Sequence, residues 1–390
     1  MKIVYFGAFR LPNYDAAAPR VLNNARALRA LGHEVTFISW GGNYRSEDLC
    51  NDGAYRVDGF EYIISGDLPL GGSWKERLMS KVRRGQKAFK ILESLPSPDL
   101  IIMYNASNAL SRKMIRYCRQ HNIKLANDVN EWYSNRELHL PDLLPNYINM
   151  TRTQRKVANK IVISSFFYNY YKESNNLLLP PLCDPTEDKW TATTDDKRIE
   201  PFNGITLIYA GTPARKDCIH TVIDAVNTLA NEGKAIRFLI LGSSKEAYLS
   251  RYSRWLKSRS LHRNIVFLGR VSQDLIPAYY KKADFMVLLR EPNRKSMAGF
   301  PTKFAESMTA GVPVITNATS DLPRYVINGK TGFLVDGYDY LAILSALSQN
   351  VLTLQPEDIA QMKHQTVEAA TAFDWHNRIA DFETFIQNLK

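Results

Sequence analysis

The amino-acid sequence predicts an α/β fold with two doubly wound parallel sheets, one in each of two domains. The chain has 390 residues, of which 45% are hydrophobic and 23% are charged, and this length exceeds what one hydrophobic core usually supports. Short apolar runs rich in β-forming residues alternate with segments of helical length in both halves. Such an alternation is typical of parallel strands that are joined by crossover helices.

The predicted elements follow this rhythm from one end of the chain to the other. The first half contains two strand–helix–strand units, at residues 3–6, 20–31 and 34–39 and at residues 100–104, 107–121 and 123–128. In the second half, strands are predicted at residues 205–209, 238–241, 265–268, 285–289 and 312–316. We therefore expect one Rossmann-like domain at residues 1–180, a linker at 181–203, a second Rossmann-like domain at 204–370 and a C-terminal helix at 371–390 that can return to the first domain.

Charge is distributed unequally between the two halves. Residues 1–180 hold 25 Lys and Arg against 16 Asp and Glu, whereas residues 181–390 hold 25 against 23. The formal charge is therefore +9 in the first half and +2 in the second. This asymmetry favours an anionic partner for the first half, such as phosphate or lipid headgroups. No recognisable nucleic-acid motif accompanies the basic charge, so we expect no nucleic-acid partner.

Cysteine use and hydropathy indicate a cytoplasmic protein. The four cysteines lie far apart in the sequence, at Cys50, Cys118, Cys183 and Cys218, which fits reduced thiols better than a disulfide framework or a zinc site. No apolar run approaches the roughly 18 residues that a membrane-spanning helix needs. Lys2 and the short apolar run after it predict a first strand and not a secretion signal.

The loop at residues 211–217 is the first candidate for ligand binding. Open parallel sheets bind their ligands beyond the carboxyl ends of the strands, and this loop directly follows the strand predicted at 205–209. It combines Gly211 with the adjacent cations Arg215 and Lys216 at the start of a helix, where backbone amides and the helix dipole also favour anions. The alternative is a helix-start loop whose two cations are only solvated.

A second candidate follows the strand predicted at 285–289. Pro301 suits the first turn of a helix, and Thr302 and Glu306 then lie one turn apart on the same face. A carboxylate at Glu306 can accept hydrogen bonds from both hydroxyls of a ribose. The alternative is a surface ion pair of Glu306 with Lys303 or Arg324.

Together these motifs resemble family 4 glycosyltransferases of the GT-B fold, of the bacterial surface-polysaccharide type. The resemblance covers essentially the whole chain and is most specific from residue 205 to residue 336. Further matching stretches lie at residues 28–35, 239–242, 267–271 and 328–335. The resemblance implies two Rossmann-like domains that face each other across a cleft, a nucleotide-diphosphate sugar donor and retention of the anomeric configuration.

The resemblance also assigns roles to residues. It implies that Lys216 and Arg215 hold the donor diphosphate and that Glu306 holds the ribose. The remaining donor-binding residues are implied to be Gly211, Arg270, Val271, Gly299, Phe300, Pro301 and Thr302, with the backbone of Arg270 and Val271 at the base.

On the acceptor side we expect Ala17 and Arg20, in the loop after the first strand, and Asp128 and Glu131, after the strand at 123–128. Asp128 is the candidate beside the reacting sugar, where many relatives have a histidine. The alternative for Asp128 and Glu131 is that they only cap the next helix.

The sequence departs from the family pattern where the first of two glutamates is expected, because Ala298 stands eight positions before Glu306. Glu291 is a nearby candidate to replace it. No Asp-x-Asp pair occurs in the sequence, so we expect no metal and no cofactor, with the cations of the loop at 211–217 stabilising the leaving diphosphate.

Other functions remain open at this point. A nucleotide-sugar epimerase of the same fold would act on the donor without an acceptor. A catalytically silent nucleotide-sugar-binding subunit is suggested by Ala298 and by the missing histidine. A dinucleotide-dependent oxidoreductase is disfavoured, because the sequence after the first strand lacks the G-x-G-x-x-G spacing. The expected partners are thus a nucleotide-sugar donor and a glycan or lipid-linked acceptor.

Residues 74–90 suggest that the first domain also touches a membrane. If this segment is helical, its apolar residues share one face and its cations lie beside them, a pattern typical of a helix on the anionic inner face of a membrane. The apolar set is Trp74, Leu78, Val82 and Phe89, and the cations are Arg77, Lys81, Arg84 and Lys87. The alternative is an ordinary surface helix whose apolar face packs on the first sheet.

Overall fold

The computed structural model describes residues 1–68, 85–132, 140–257 and 260–390. The chain forms two compact units, of which the first contains Met1–Leu182 together with Trp375–Lys390 and the second contains Cys183–Asp374. Within the described ranges, no helix is long and apolar enough to span a bilayer.

An eight-stranded sheet forms the centre of the first unit, with the order β3-β4-β2-β1-β5-β6-β7-β8. Its strands are β1 Lys2–Leu11, β2 Glu34–Gly42, β3 Arg56–Val57, β4 Phe60–Leu68, β5 Leu100–Tyr104, β6 Lys124–Val129, β7 Asn159–Val162 and β8 Asn175–Leu178. Only the pair β3 and β4 is antiparallel. The helices that precede residue 182 are α1 Ala17–Ala30, α2 Gln86–Ser94, α3 Asn108–His121, α4 Leu140–Ile148 and α5 Ser165–Tyr170.

Both faces of this sheet are covered, which explains why its central strands are apolar throughout. Tyr5 and Phe6 are adjacent on β1, are both fully buried, and belong to different core clusters. One cluster includes α1, and the other includes α2 and α3. Ser107 begins α3 by accepting a hydrogen bond from the backbone N–H of Leu110 at 3.4 Å, and capping of this kind satisfies an otherwise unpaired amide.

The second unit contains a six-stranded, entirely parallel sheet with the order β11-β10-β9-β12-β13-β14. Its strands are β9 Ile205–Tyr209, β10 Ile236–Leu241, β11 Ile265–Gly269, β12 Phe285–Leu288, β13 Val314–Asn317 and β14 Gly332–Val335. Its helices are α6 Ile219–Asn231, α7 Lys245–Tyr252, α8 Ile276–Tyr280, α9 Arg294–Ala298, α10 Thr302–Thr309, α11 Tyr340–Ala346 and α12 Pro356–Ala370. From β9 the chain adds β10 and β11 on one side, and from β12 it adds β13 and β14 on the other. The topological switch point therefore lies between β9 and β12.

The predicted architecture of two parallel α/β sheets is confirmed, and each strand listed in the sequence prediction overlaps an observed strand. The segment expected to be a linker, residues 181–203, differs from the prediction. From Cys183 onward it packs on the second unit, because Trp190 is buried and Arg198 donates a hydrogen bond to the carbonyl of Leu268 at 2.8 Å. The chain therefore passes between the units at Leu182 and Cys183.

The last helix, α13 Ile379–Gln387, belongs to the first unit. Phe382 and Phe385 on this helix are buried in the same core cluster as α1. Asn175 on β8 donates a hydrogen bond to the carbonyl of Phe385 at 3.1 Å. The chain thus returns to the first unit after completing the second.

The membrane-contact prediction for residues 74–90 is only partly covered, because residues 74–84 lie outside the described residues. The described remainder forms the start of α2, on which Ala88, Phe89 and Leu92 are buried against the sheet. Phe89 therefore packs in the core, as the alternative expects, and does not lie on an exposed apolar face. Lys87 and Lys90 on the same helix are exposed.

Candidate active site

The loops after β9 and β12 lie side by side at the carboxyl edge of the second sheet. These strands are hydrogen-bonded neighbours, with Leu207 opposite Phe285 and Ile208 opposite Met286. Gly211, the second residue after β9, has a φ of +128°, which a residue with a side chain rarely adopts. A Cβ at this position would lie 3.0 Å from Nζ of Lys303 on α10. Gly211 thus allows a close approach between the two loops.

A buried carboxylate, Asp217, connects these loops. It accepts hydrogen bonds from the hydroxyl of Tyr209 at 2.6 Å, from Nε of Arg290 at 3.0 Å and from Nζ of Lys303 at 3.2 Å. Lys303 Nζ also donates to the Tyr209 hydroxyl at 2.6 Å. We refer to Tyr209, Asp217, Arg290 and Lys303 as the Asp217 cluster. Its members come from the end of β9, the loop after β9, the segment after β12 and the first turn of α10.

The ionisation of the cluster follows from burial and from its close contacts. Burial lowers the pKa of Lys303 to about 8, and Asp217 opposes this shift. Burial alone would raise the pKa of Asp217, but Lys303 and Arg290 outweigh it and hold the pKa well below its usual range. Burial and the neighbouring Asp217 raise the pKa of Tyr209, which therefore stays neutral. At neutral pH the cluster holds two cations and one anion.

The segment between α9 and α10 contains three predicted donor-binding residues, Gly299, Phe300 and Pro301, and a fourth, Thr302, begins α10. The ring of Phe300 is buried and packs at right angles to Phe304, with a centroid distance of 5.7 Å. Its side chain therefore belongs to the core, so only its backbone could face a donor. Pro301 is the N-cap of α10 and Thr302 is the first helical residue, so Pro301 stands one position before the first turn in which it was expected.

Glu306 lies one turn further along α10 and is partly buried. Burial raises the pKa of its carboxyl group, and Lys189 and Lys303 offset part of that rise. Ala298, where the first family glutamate is expected, is fully buried. Glu291, the suggested replacement, is exposed.

The predicted catalytic cations Arg215 and Lys216 are both exposed and lie on a short 3₁₀ helix, Arg215–Asp217. The Arg215 guanidinium lies 5.4 Å from the centre of the Trp255 ring. The predicted base contacts, Arg270 and Val271, follow β11, which is separated from β9 by β10. The structure thus brings the loops at 211–217 and 299–306 together and leaves Arg270 and Val271 further along the same edge.

Sequence reasoning missed the two buried cations, Arg290 and Lys303. Each carried a signal, because Arg290 follows a buried apolar strand and Lys303 lies in the first turn of a helix. Lys303 was considered only as a surface partner of Glu306. Their shared partner, Asp217, is separated from them by 73 and 86 residues, so the sequence alone does not indicate the cluster.

In the first unit, the predicted acceptor-side residues Arg20 and Asp128 form a buried ion pair with each other. Arg20 Nη2 lies 2.8 Å from Asp128 Oδ1, and the two side chains are 2% and 0% exposed. The hydroxyl of Tyr5 donates to Asp128 Oδ2 at 2.5 Å, and Arg20 Nη1 donates to the carbonyl of Leu179 at 3.1 Å. This geometry supports a structural role that fixes α1 on the sheet, and it supports neither acceptor contact nor helix capping by Asp128.

The other two acceptor-side candidates are more accessible. Ala17 is the first residue of α1, and its backbone N–H is 3.1 Å from Oδ1 of Asp15. Glu131 follows β6 and is partly buried. Within the described part of the chain, no group of three or more His, Cys, Asp or Glu side chains could hold a metal ion.

Comparisons with known proteins agree with this geometry. Residues 193–370 match the family model of "Glycosyl transferases group 1". The chain is 29% identical over 120 residues to a GDP-mannose-dependent alpha-(1-6)-phosphatidylinositol monomannoside mannosyltransferase of Mycolicibacterium smegmatis, covering 30% of each protein. It is 26% identical over 141 residues to the capsular polysaccharide biosynthesis glycosyltransferase CapM of Staphylococcus aureus, covering 36% of this chain and 35% of CapM. The matches thus span about a third of these relatives.

Among solved structures, the fold is similar to that of HepE from Anabaena in complex with UDP and glucose. The TM-score is 0.71 with 15% sequence identity, and the match covers 100% of both chains. At this identity the likeness shows the fold alone, which is that of two-domain GT-B proteins. The second unit therefore matches the glycosyl transferases group 1 model over most of its length, and the resemblance of this chain to glycosyltransferases of the GT-B fold is confirmed.

Proposed function

We propose that the protein is a retaining, metal-independent glycosyltransferase that moves a sugar from a nucleotide-diphosphate donor to a glycan or lipid-linked acceptor in the synthesis of a surface polysaccharide. The main support for this proposal is a contact between the segments that follow the neighbouring strands β9 and β12. Lys303, which follows β12, donates a hydrogen bond to Asp217, which follows β9. One ligand at the switch point of the sheet can contact both loops, and open parallel sheets bind ligands there.

The charge at this edge suits a diphosphate as the leaving group. Breaking the bond between the sugar and the diphosphate leaves negative charge on the phosphate oxygens, and fixed cations that face this charge lower the barrier. Arg290 and Lys303 are held in place by Asp217, while Arg215 and Lys216 lie exposed on the loop after β9. These residues can supply the compensation without a metal ion.

We assign the nucleoside to the remaining predicted contacts. Glu306 would accept hydrogen bonds from the ribose hydroxyls, and the backbone at Arg270 and Val271 would contact the base. One relative is named for its dependence on GDP-mannose, and one structural neighbour was solved with UDP. Both classes of donor are therefore candidates.

The first unit would receive the acceptor and could meet it at a membrane. Helices α2 and α3 cover the same face of the first sheet, and the ring centroids of Phe89 and Tyr117 on these helices are 5.3 Å apart. We refer to their exposed cations as the basic layer, which consists of Lys87, Lys90, Arg112, Lys113, Arg116 and Arg119. Helix α3 contains no acidic residue. Such a surface is attracted to anionic lipid.

The test is an assay of UDP-sugars and GDP-sugars, each with and without a lipid-linked glycan acceptor, in buffer that contains excess chelator. We expect sugar transfer and release of nucleoside diphosphate only when the acceptor is present. Conversion of the donor to another sugar nucleotide without an acceptor would identify an epimerase. Donor binding without turnover on any acceptor would favour the silent subunit that Ala298 suggests, and loss of activity in chelator that metal restores would contradict metal independence.

A further inference from the structure

We propose that Lys303 and Arg290, fixed by Asp217, form the cationic subsite that binds the diphosphate of the donor, in place of the exposed pair Arg215 and Lys216. This inference rests on the proposed function and deepens it, since it names the side chains that would face the leaving group. Four observations in the second unit lead to it.

The first observation is an excess of buried positive charge. The side chains of Asp217, Arg290 and Lys303 are 2%, 9% and 16% exposed. One carboxylate can neutralise only one of the two cations. A buried charge that lacks a counterion is costly, so the cluster favours an anion as a further partner. A diphosphate supplies such a counterion.

The second observation concerns the hydrogen-bonding capacity of Lys303. An ammonium group has three N–H donors. In the described part of the chain, Lys303 Nζ donates to Tyr209 at 2.6 Å and to Asp217 at 3.2 Å. These two bonds direct the ammonium group and leave its third hydrogen for a ligand.

The third observation is the close contact between Gly211 and the ammonium group. The Cβ of any other residue at position 211 would lie 3.0 Å from Lys303 Nζ, and the φ of Gly211 excludes an easy substitution. A side chain at this position would press on the ammonium group, and its absence leaves the backbone after β9 next to Lys303 Nζ. Glycine has this role in many loops that contact phosphate.

The fourth observation is the position of Lys303 in the first turn of α10. The N-cap is Pro301, whose side chain cannot accept a hydrogen bond from the first amides of the helix. The helix dipole places partial positive charge at the same point. The ammonium group and the start of the helix therefore both favour an anion at this point. Lys303 has this advantage because it lies in the first turn of α10.

The pH dependence of binding provides a test of whether the Lys303 ammonium group contacts the anion. Burial holds the pKa of Lys303 at about 8, and an anion bound to the ammonium group would raise it. Binding would therefore be strongest below pH 8 and would weaken as the pH rises through that value. The other groups that face Lys303 are Tyr209, Asp217, Lys216 and Arg290 on neighbouring elements and Glu306 on α10 itself. Burial raises the pKa of Tyr209 well above its usual range, and the neighbouring cations hold the pKa of Asp217 well below its own, so neither group titrates near pH 8.

Calorimetric titration of UDP, GDP and pyrophosphate into the wild type and four variants tests the inference. The variants are Lys303→Met, Lys303→Arg, Lys216→Met, which tests the alternative assignment, and the control Lys234→Met, which removes an equal charge from an exposed position before β10. We expect Lys303→Met to weaken binding of the tighter nucleotide about 30-fold, equivalent to about 2 kcal/mol. Lys234→Met should not change the affinity, Lys216→Met should weaken binding less than Lys303→Met does, and Lys303→Arg should restore part of the loss.

Two outcomes would overturn the inference. One is a folded Lys303→Met protein that binds the nucleotides within about twofold of the wild type, and the other is a larger loss in Lys216→Met. If Lys303→Met does not fold, the pH dependence of nucleotide binding to the wild type tests the inference instead. An affinity that stays constant from pH 7 to pH 9.5 would exclude Lys303 as a ligand. A wild type that binds none of the three probes would instead contradict the proposed donor class itself.

Discussion

Each unit contains a tyrosine on the first strand of its sheet that donates a hydrogen bond to a buried aspartate, yet the two arrangements differ in charge. In the first unit, Tyr5 contacts Asp128, which pairs with Arg20. In the second unit, Tyr209 contacts Asp217, which pairs with both Arg290 and Lys303. The Asp128 pair is balanced and closed to solvent, whereas the Asp217 cluster carries a net positive charge and is partly open.

This difference separates a structural ion pair from a candidate binding site. A balanced pair whose remaining hydrogen bonds go to the protein needs no further partner. The Arg20 guanidinium illustrates this, because it also contacts the carbonyl groups of Leu179 and Pro180. A cluster with a surplus cation gains from an anionic ligand.

The largest effect is expected for Asp128→Asn, which tests whether the buried pair of Arg20 and Asp128 stabilises the first unit. This change leaves the Arg20 charge buried without its carboxylate, so we expect the free energy of unfolding to fall by about 3–5 kcal/mol. Urea unfolding measures the loss. The matched control is Asp58→Asn, which removes a partly exposed partner of Arg26 and should cost less than about 1 kcal/mol. Equal stability of the two variants would mean that the buried pair has no structural importance.

A second prediction extends the comparison to exposed positive charge. Replacing Arg112, Arg116 and Arg119 of the basic layer by Ser should weaken binding to anionic vesicles by about 3 kcal/mol, since each cation near anionic lipid contributes about 1 kcal/mol. Sedimentation with vesicles at low salt measures the effect, and transfer to a soluble acceptor should not change. Replacing the exposed Lys234, Lys282 and Lys330 of the second unit is the control. If both triple variants sediment like the wild type, the basic layer is not a membrane contact.

The third prediction separates stability from catalysis in the Asp217 cluster. Lys303→Met removes one of two cations and leaves the balanced pair of Asp217 with Arg290, so its loss of unfolding free energy should be less than half that of Asp128→Asn. Its kcat/KM for the donor should nevertheless fall about 30-fold or more, because the lost charge faces the leaving group. Urea unfolding and steady-state kinetics on one preparation measure both quantities. A large loss of stability with unchanged kcat/KM would make the cluster structural, like the Asp128 pair.

The smallest effect is expected for Glu306→Gln. Burial raises the pKa of Glu306 in the folded protein, so its ionisation opposes folding at neutral pH, and this cost disappears as the pH falls below the unfolded value. The variant should therefore be slightly more stable than the wild type at pH 7 and no more stable near pH 4. It should also bind nucleoside diphosphate more weakly, because an amide lacks the charge that strengthens the ribose contacts.

Thermal unfolding at the two pH values and calorimetry measure these changes. The exposed Glu291 offers the control Glu291→Gln, which should alter neither quantity. A variant of Glu306 that binds nucleoside diphosphate like the wild type would remove this residue from the ribose site.

The sequence was sufficient for the parts of the molecule that depend on local pattern. Apolar runs of strand length predicted the two sheets, and the rule that ligands bind at the carboxyl ends of parallel strands led to the loop at 211–217 and the start of α10. The pairing of Arg20 with Asp128 could not be predicted, because 108 residues separate them and no local pattern shows which charged side chains pair. The sequence likewise favours the exposed Lys216 over the largely buried Lys303, because Asp217, the partner of Lys303, lies 86 residues away in the chain.

The return of α13 to the first unit has a consequence for the order in which the protein can fold during synthesis. Residues 183–374 form a complete unit within the interruption of another. Hydrogen bonding of the Cys183 amide to the carbonyl of Phe373 at 2.8 Å closes this unit where it begins and ends. The first unit, although its synthesis begins earlier, needs Phe382 and Phe385 to fill its core. The domain that is made second therefore has its full sequence first, and the first unit must wait until α13 has left the ribosome.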